Sequence, residues 1–110
     1  MNQRTTSRSI RIKGYDFEGP YTHTANLRNA AGVYVVLDYR SDEKWWVIDV
    51  GESEDVRARI ESHDRKSCWE RHRQGTLGVA VLYTSGWTAE QRRQLESQIR
   101  IEYTPPCGDR

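Results

Sequence analysis

Gly32-Val33-Tyr34-Val35-Val36-Leu37-Asp38-Tyr39, then the polar turn Arg40-Ser41-Asp42-Glu43-Lys44, then Trp45-Trp46-Val47-Ile48-Asp49-Val50-Gly51, is the stretch that decides the fold. β-Branched and aromatic residues dominate both flanking runs, and such side chains suit a pleated, packed surface. Two such runs across a short polar connection predict a β-hairpin whose second strand ends at Gly51.

C-terminal to the hairpin, Ser53 is a candidate N-cap, with Glu54 and Asp55 in the favourable first turn of a helix reaching about His63. Cys68 to Arg73 predicts a short second helix, and Leu77 to Thr84 a third strand. Thr88 then opens a helix with Gln91 in capping-box position. It runs to about Tyr103, where Pro105-Pro106 stops it. Helical spacing puts Val56 and Ile60 on the inner stripe of the first helix, and Leu95, Ile99 and Tyr103 on that of the last. The order β-β-α-α-β-α implies an α+β fold: a small, mainly antiparallel three-stranded sheet flanked by helices. N-terminal to the hairpin, Ile10 and Ile12 alternate as in a strand before Gly14, Gly19 and Pro20 interrupt. Residues 1–9 read as a flexible tail within an edge-covering segment, 1–29, and the domain proper spans 30–110.

Composition narrows the function classes. A length of 110 residues fits one domain. Apolar and aromatic residues gathered into runs exclude a disordered chain. A net charge of +1 excludes a strong overall field on nucleic acid, although Arg57, Arg59, Arg65, Lys66, Arg71 and Arg73 fall close together among interleaved carboxylates. No apolar run approaches the roughly 18 residues that span a membrane, and the polar start lacks a secretory core. Cys68 and Cys107 make no disulfide framework. A cytoplasmic, reduced protein follows.

Several side chains suit chemistry. Val56, Arg59, Ile60 and His63 fall on one helical side, so Arg59 borders the buried stripe. There it can present a bidentate fork to phosphate, lie over the core, or pair with a carboxylate. Glu96, beside Leu95, can hold a divalent ion through oxygen or pair with Arg92 or Arg100. His63, Cys68, His72 and Cys107 offer nitrogen and sulfur, but their spacing matches no standard zinc pairing. Packing of Cys68 and Trp69 in the core, with the histidines on the sheet's rim, is the simpler expectation. Trp45, Trp46 and Trp87 could stack on bases. Strand alternation turns one of the Trp45/Trp46 pair away from the core, and covering the sheet's other face against the N-terminal segment is the simpler role for it.

Taken together, these residues form a pattern. Gly32-Val33-Tyr34 lies on the first strand, Asp49-Val50-Gly51 on the second, and Arg59 comes eight residues after Gly51. Glu96 precedes Pro105-Pro106 by nine and ten residues. In these landmarks the chain resembles the GIY-YIG nuclease superfamily over about residues 31–108. Gly32-Val33-Tyr34 matches the first motif, and Asp49-Val50-Gly51 stands in place of the second, Tyr-Ile-Gly.

The resemblance implies DNA phosphodiester hydrolysis assisted by Mg2+ or Mn2+. Tyr34 would orient or activate water, Arg59 would stabilise phosphoryl charge, and Glu96 would anchor the metal. His63 would join this pocket, and Gly32, Gly51, Ser53, Arg57 and Lys66 would line the substrate side. The pattern departs from the family at Asp49, which replaces a tyrosine, at the 14-residue gap between Tyr34 and Asp49, and at Gly108, where asparagine is frequent. Asp49 would add a metal ligand, accept a proton, or repel phosphate and mark a lost activity. The relatives' usual DNA-binding domain has no room here. A monomer or weak homodimer, with a partner protein bringing the DNA, is therefore expected. The alternative is a non-cutting module that binds nucleic acid or protein.

Overall fold

A computed structural model describes residues 8–108; most of the tail expected over residues 1–9 lies outside them. Strands β1 (Ser9–Ile12) and β2 (Tyr15–Tyr21) precede a single 3₁₀ turn, Thr24–Asn26. Strands β3 (Gly32–Tyr39) and β4 (Trp45–Ser53) follow, then helices α1 (Val56–Glu61) and α2 (Lys66–His72), strand β5 (Thr76–Tyr83) and helix α3 (Ala89–Tyr103). The class is α+β, as expected. The sheet, however, has five strands in the order β1-β2-β5-β3-β4 rather than three, and every pairing is antiparallel.

The two extra strands come from the N-terminal segment. Lys13 and Gly14 both take positive φ, +53° and +84°, the two-residue geometry that closes a tight hairpin. Ile12 and Phe17 from that hairpin enter the core. The segment therefore extends the sheet as well as covering it.

β3 is buried along nearly its whole length because both faces of the sheet are covered. On one face, Leu95 and Ile99 of α3 pack on Val33, Val35, Leu37, Val50 and Ala80. On the other, Val56 and Ile60 of α1 and Trp69 of α2 pack around Tyr34, Val36, Ile48 and Val81. Burying each such side chain contributes roughly 1.5–3 kcal/mol. Trp45 packs against the α3-side core. Trp46 is 46% exposed, not laid over the N-terminal segment: it donates to Asp42 at 3.0 Å and lies under Arg40. Tyr103, expected on the inner stripe, is exposed; Arg92 is buried there instead.

Local signals place the helices. Asp55, rather than Ser53, caps α1, accepting from the Ala58 amide at 3.1 Å. Ser53 ends β4, and its hydroxyl accepts from the Asp55 amide. The α1 helix stops at Glu61, so His63 lies beyond it in the link to α2. The Thr88–Gln91 capping box is present at α3. Beyond α3, segment 104–108 turns back on the free edge of β4, where the Cys107 amide donates to the Ile48 carbonyl at 3.1 Å.

Candidate active site

Tyr34 points from β3 into the face covered by α1 and α2 and is 1% exposed. Gly51 is its cross-strand neighbour. A Cβ at position 51 would come within 2.2 Å of the Tyr34 hydroxyl; the glycine is there to admit the phenol. His63 Nε2 lies 2.8 Å from that hydroxyl. The Arg65 amide donates to His63 Nδ1 at 3.0 Å, so in the neutral ring Nε2 carries the proton and donates it to the Tyr34 oxygen. The phenol keeps its own O–H free to donate elsewhere.

Burial chiefly, then the Arg59 and Arg65 charges, pushes His63 down to about 4, so the ring is neutral at physiological pH. Burial also pushes the Tyr34 hydroxyl up to about 12, against the lowering influence of Arg59 and Arg65. Tyr34 therefore holds its proton at neutral pH, while His63 and Arg59 stand ready to stabilise its anion. Arg59 itself lies at the surface, paired with Asp64 at 3.1 Å.

Asp49 has no free lone pairs for a metal. It is fully buried and accepts from Arg65 Nε and Nη2 at 2.8 and 3.2 Å, Trp69 Nε1 at 2.8 Å, Arg100 Nη2 at 3.1 Å and the Val50 amide at 2.8 Å. The same Arg100 guanidinium donates to the Val50 and Cys107 carbonyls. Asp49 thus ties β4, α2, α3 and the terminal segment together.

Glu96 is half-buried on α3, with its carboxylate 3.6 Å from Arg100. Burial raises its pKa, opposed by Arg100 and assisted by Glu52. Glu52 pairs with the buried Arg92 at 2.8 Å. Arg65 acts electrostatically on both Tyr34 and Glu96. The sequence offered Arg92 only as a partner for Glu96, whereas it pairs with Glu52; Arg65 appeared only within a run of basic residues, and Glu52 not at all.

The other expected residues are more peripheral. Gly32 is buried against the β5 backbone. Arg57 pairs with Glu61 at 3.1 Å, and Lys66 donates to the Glu61 carbonyl at 2.6 Å. His63 does not join the sulfur ligands. Cys68 and Cys107 are bonded to each other, contrary to the expected free thiols, and His72 lies beside them. No family model, curated protein or solved structure matches the chain.

Proposed function

We propose that this chain is a metal-dependent endonuclease that hydrolyses DNA phosphodiester bonds, with Tyr34, Arg59 and Glu96 as its reacting groups. The observation that carries the reading is the buried Tyr34 phenol, held by the His63 Nε2–H donor beside Arg59. A phenol in that setting donates a hydrogen bond at neutral pH and yields an anion stabilised from two sides. In its protonated form it is suited to orient water by donating to the water oxygen; only the phenolate, formed once its own proton has left to solvent, could take a proton from that water.

The fit of a hard cation rests on Glu96. Its carboxylate is partly desolvated, only loosely paired, and next to a second carboxylate, Glu52. Oxygen donors of this kind take Mg2+ or Mn2+, and such an ion would supply charge stabilisation at the leaving oxygen. Glu96 would hold it, with Glu52 fixed alongside by Arg92. Arg59 would exchange its exposed partner Asp64 for a phosphate. No helix among the described residues is long and apolar enough to cross a membrane. A net charge of +1 gives little non-specific DNA affinity, so a partner protein would bring the DNA.

The non-cutting module is the second reading. It is favoured by the 1% exposure of Tyr34 and by the structural engagement of Asp49. The deciding experiment incubates wild type, Glu96→Gln and Tyr34→Phe with plasmid, branched and single-stranded DNA plus Mg2+ or Mn2+. Cleavage by wild type, with both variants silent but folded, supports the nuclease. A folded wild type that cuts nothing, yet retards one of these DNAs in a gel, supports the module instead.

A further inference from the structure

Cys68 and His72 are four residues apart on α2, which sets their side chains on one face of the helix. Cys107 reaches the same spot from the terminal segment. The two sulfurs and a His72 ring nitrogen all lie within 4.8 Å of one another. Cys107 is buried, Cys68 half-buried and His72 exposed. The disulfide joins α2 to the segment that covers the β4 edge, and its Cα atoms are 5.9 Å apart.

We infer that Cys68, His72 and Cys107 form a reduction-gated site for one zinc-class divalent ion. In the oxidised chain the S–S bond occupies the sulfur lone pairs' working geometry and the site is closed. A dithiol reductant opens it. The protein S–S bond breaks, two electrons pass from the dithiol, the reductant closes its own disulfide, and two Cys thiols result. Metal binding then releases the two thiol protons to solvent and forms two thiolate bonds and one imidazole bond.

Geometry, ligand type and charge agree with this. A tetrahedral ion with Zn–S of about 2.3 Å and Zn–N of about 2.0–2.1 Å holds its ligands roughly 3.5–3.8 Å apart. The present cluster reaches that spacing by side-chain rotation, the sulfurs separating and the imidazole closing in. Two sulfurs and one nitrogen select soft or borderline ions over magnesium and calcium. Three protein ligands leave the fourth position to solvent. Two thiolates neutralise the ion, which matters beside the Arg100 guanidinium bound to the Cys107 carbonyl.

The test uses the full chain stripped of metal and titrated with Co2+, then with Zn2+ in competition, in oxidised form and after reduction by a phosphine that does not itself compete. The reduced wild type is expected to take one Co2+ with a thiolate-to-cobalt charge-transfer band, which Zn2+ abolishes; the oxidised chain shows none. His72→Ala, at an exposed position, should weaken Zn2+ binding by more than the roughly 10–100-fold that loss of an outer-shell partner costs. Cys107→Ser should remove the charge-transfer band, and far-UV circular dichroism checks its fold. A reduced wild type without that band overturns the inference, as does His72→Ala binding Zn2+ as tightly as wild type.

Discussion

Replacing Asp49 by asparagine keeps the shape of the side chain and removes its charge, which isolates the role of the buried carboxylate. In wild type the group accepts five hydrogen bonds, three of them from the guanidiniums of Arg65 and Arg100. In Asp49→Asn the amide NH2 faces donors, and two cations are left together without a counter-charge. Removing one partner of a buried ion pair costs about 3–5 kcal/mol. Arg65 and Arg100 keep 25% and 14% of their side-chain surface in water, so the lower end applies, about 3 kcal/mol. In a domain near this size each kcal/mol lowers Tm by roughly 4–8 °C; the expected fall is therefore about 12–24 °C. Urea unfolding followed by tryptophan fluorescence measures the free energy directly, with the disulfide kept oxidised in both proteins. Glu61→Gln, which removes an exposed i,i+4 pair with Arg57, serves as the comparison and should cost about 0.3–0.5 kcal/mol. If Asp49→Asn proves no more costly than Glu61→Gln, the carboxylate does not hold these elements together and the argument fails.

Gly51→Ala should destabilise by at least the roughly 1–3 kcal/mol of an overpacked core, because the new methyl meets Tyr34 at 2.2 Å; pairing it with Tyr34→Val should recover much of that loss in the same urea assay, and additive costs would contradict the clash. The neutral His63 gives a pH signature. The unfolded imidazole takes its proton near pH 6.5 and the folded one only at about 4. Stability is thus full above about pH 6.5 and declines as pH falls through that window. A His63 ring resonance that titrates near pH 6.5 in the folded protein would disprove this. Finally, the Cys68–Cys107 bond closes a loop of 39 residues by sequence separation, worth about 4 kcal/mol by loop entropy. Reduction in the presence of a chelator should lower the urea midpoint accordingly, and an unmoved midpoint would refute the estimate.

How much of this was legible in the sequence depends on the range of the interaction. The β3–β4 hairpin and the α3 capping box are set by neighbours within a few residues, and both were readable. So was the burial of Val56, Ile60, Leu95 and Ile99, because one helical period reports one face. The β1–β2 hairpin was hidden by its turn. Lys13-Gly14 lacks the Asn or Asp that usually marks positive φ, and Gly19-Pro20 reads as a break within what is in fact β2. The Asp49 cluster was invisible for another reason. Its partners lie 16, 20 and 51 residues away, and no local pattern announces a buried carboxylate that meets two arginines. The disulfide has the same character, since only the meeting of α2 with segment 104–108 brings Cys68 to Cys107. At the candidate site, Tyr34, Arg59 and Glu96 came from spacing against a family pattern. The His63–Tyr34 contact was reached only in part, because His63 sits beyond the helix to which it was assigned.

The fastening of segment 104–108 along β4 has a consequence for solubility. An uncovered sheet margin offers unpaired amides and carbonyls to any extended chain nearby, and a long apolar margin is a template for aggregation. Trp45 to Val50 is such a margin, and the Cys107 amide and the Arg100 guanidinium occupy two of its carbonyls, Ile48 and Val50. Trimming the chain at Thr104 would remove the Cys107 half of that guard from the strand next to Tyr34's own, leaving only Arg100. The cut protein would then be prone to precipitate through β4 stacking edge to edge, well before its core came apart.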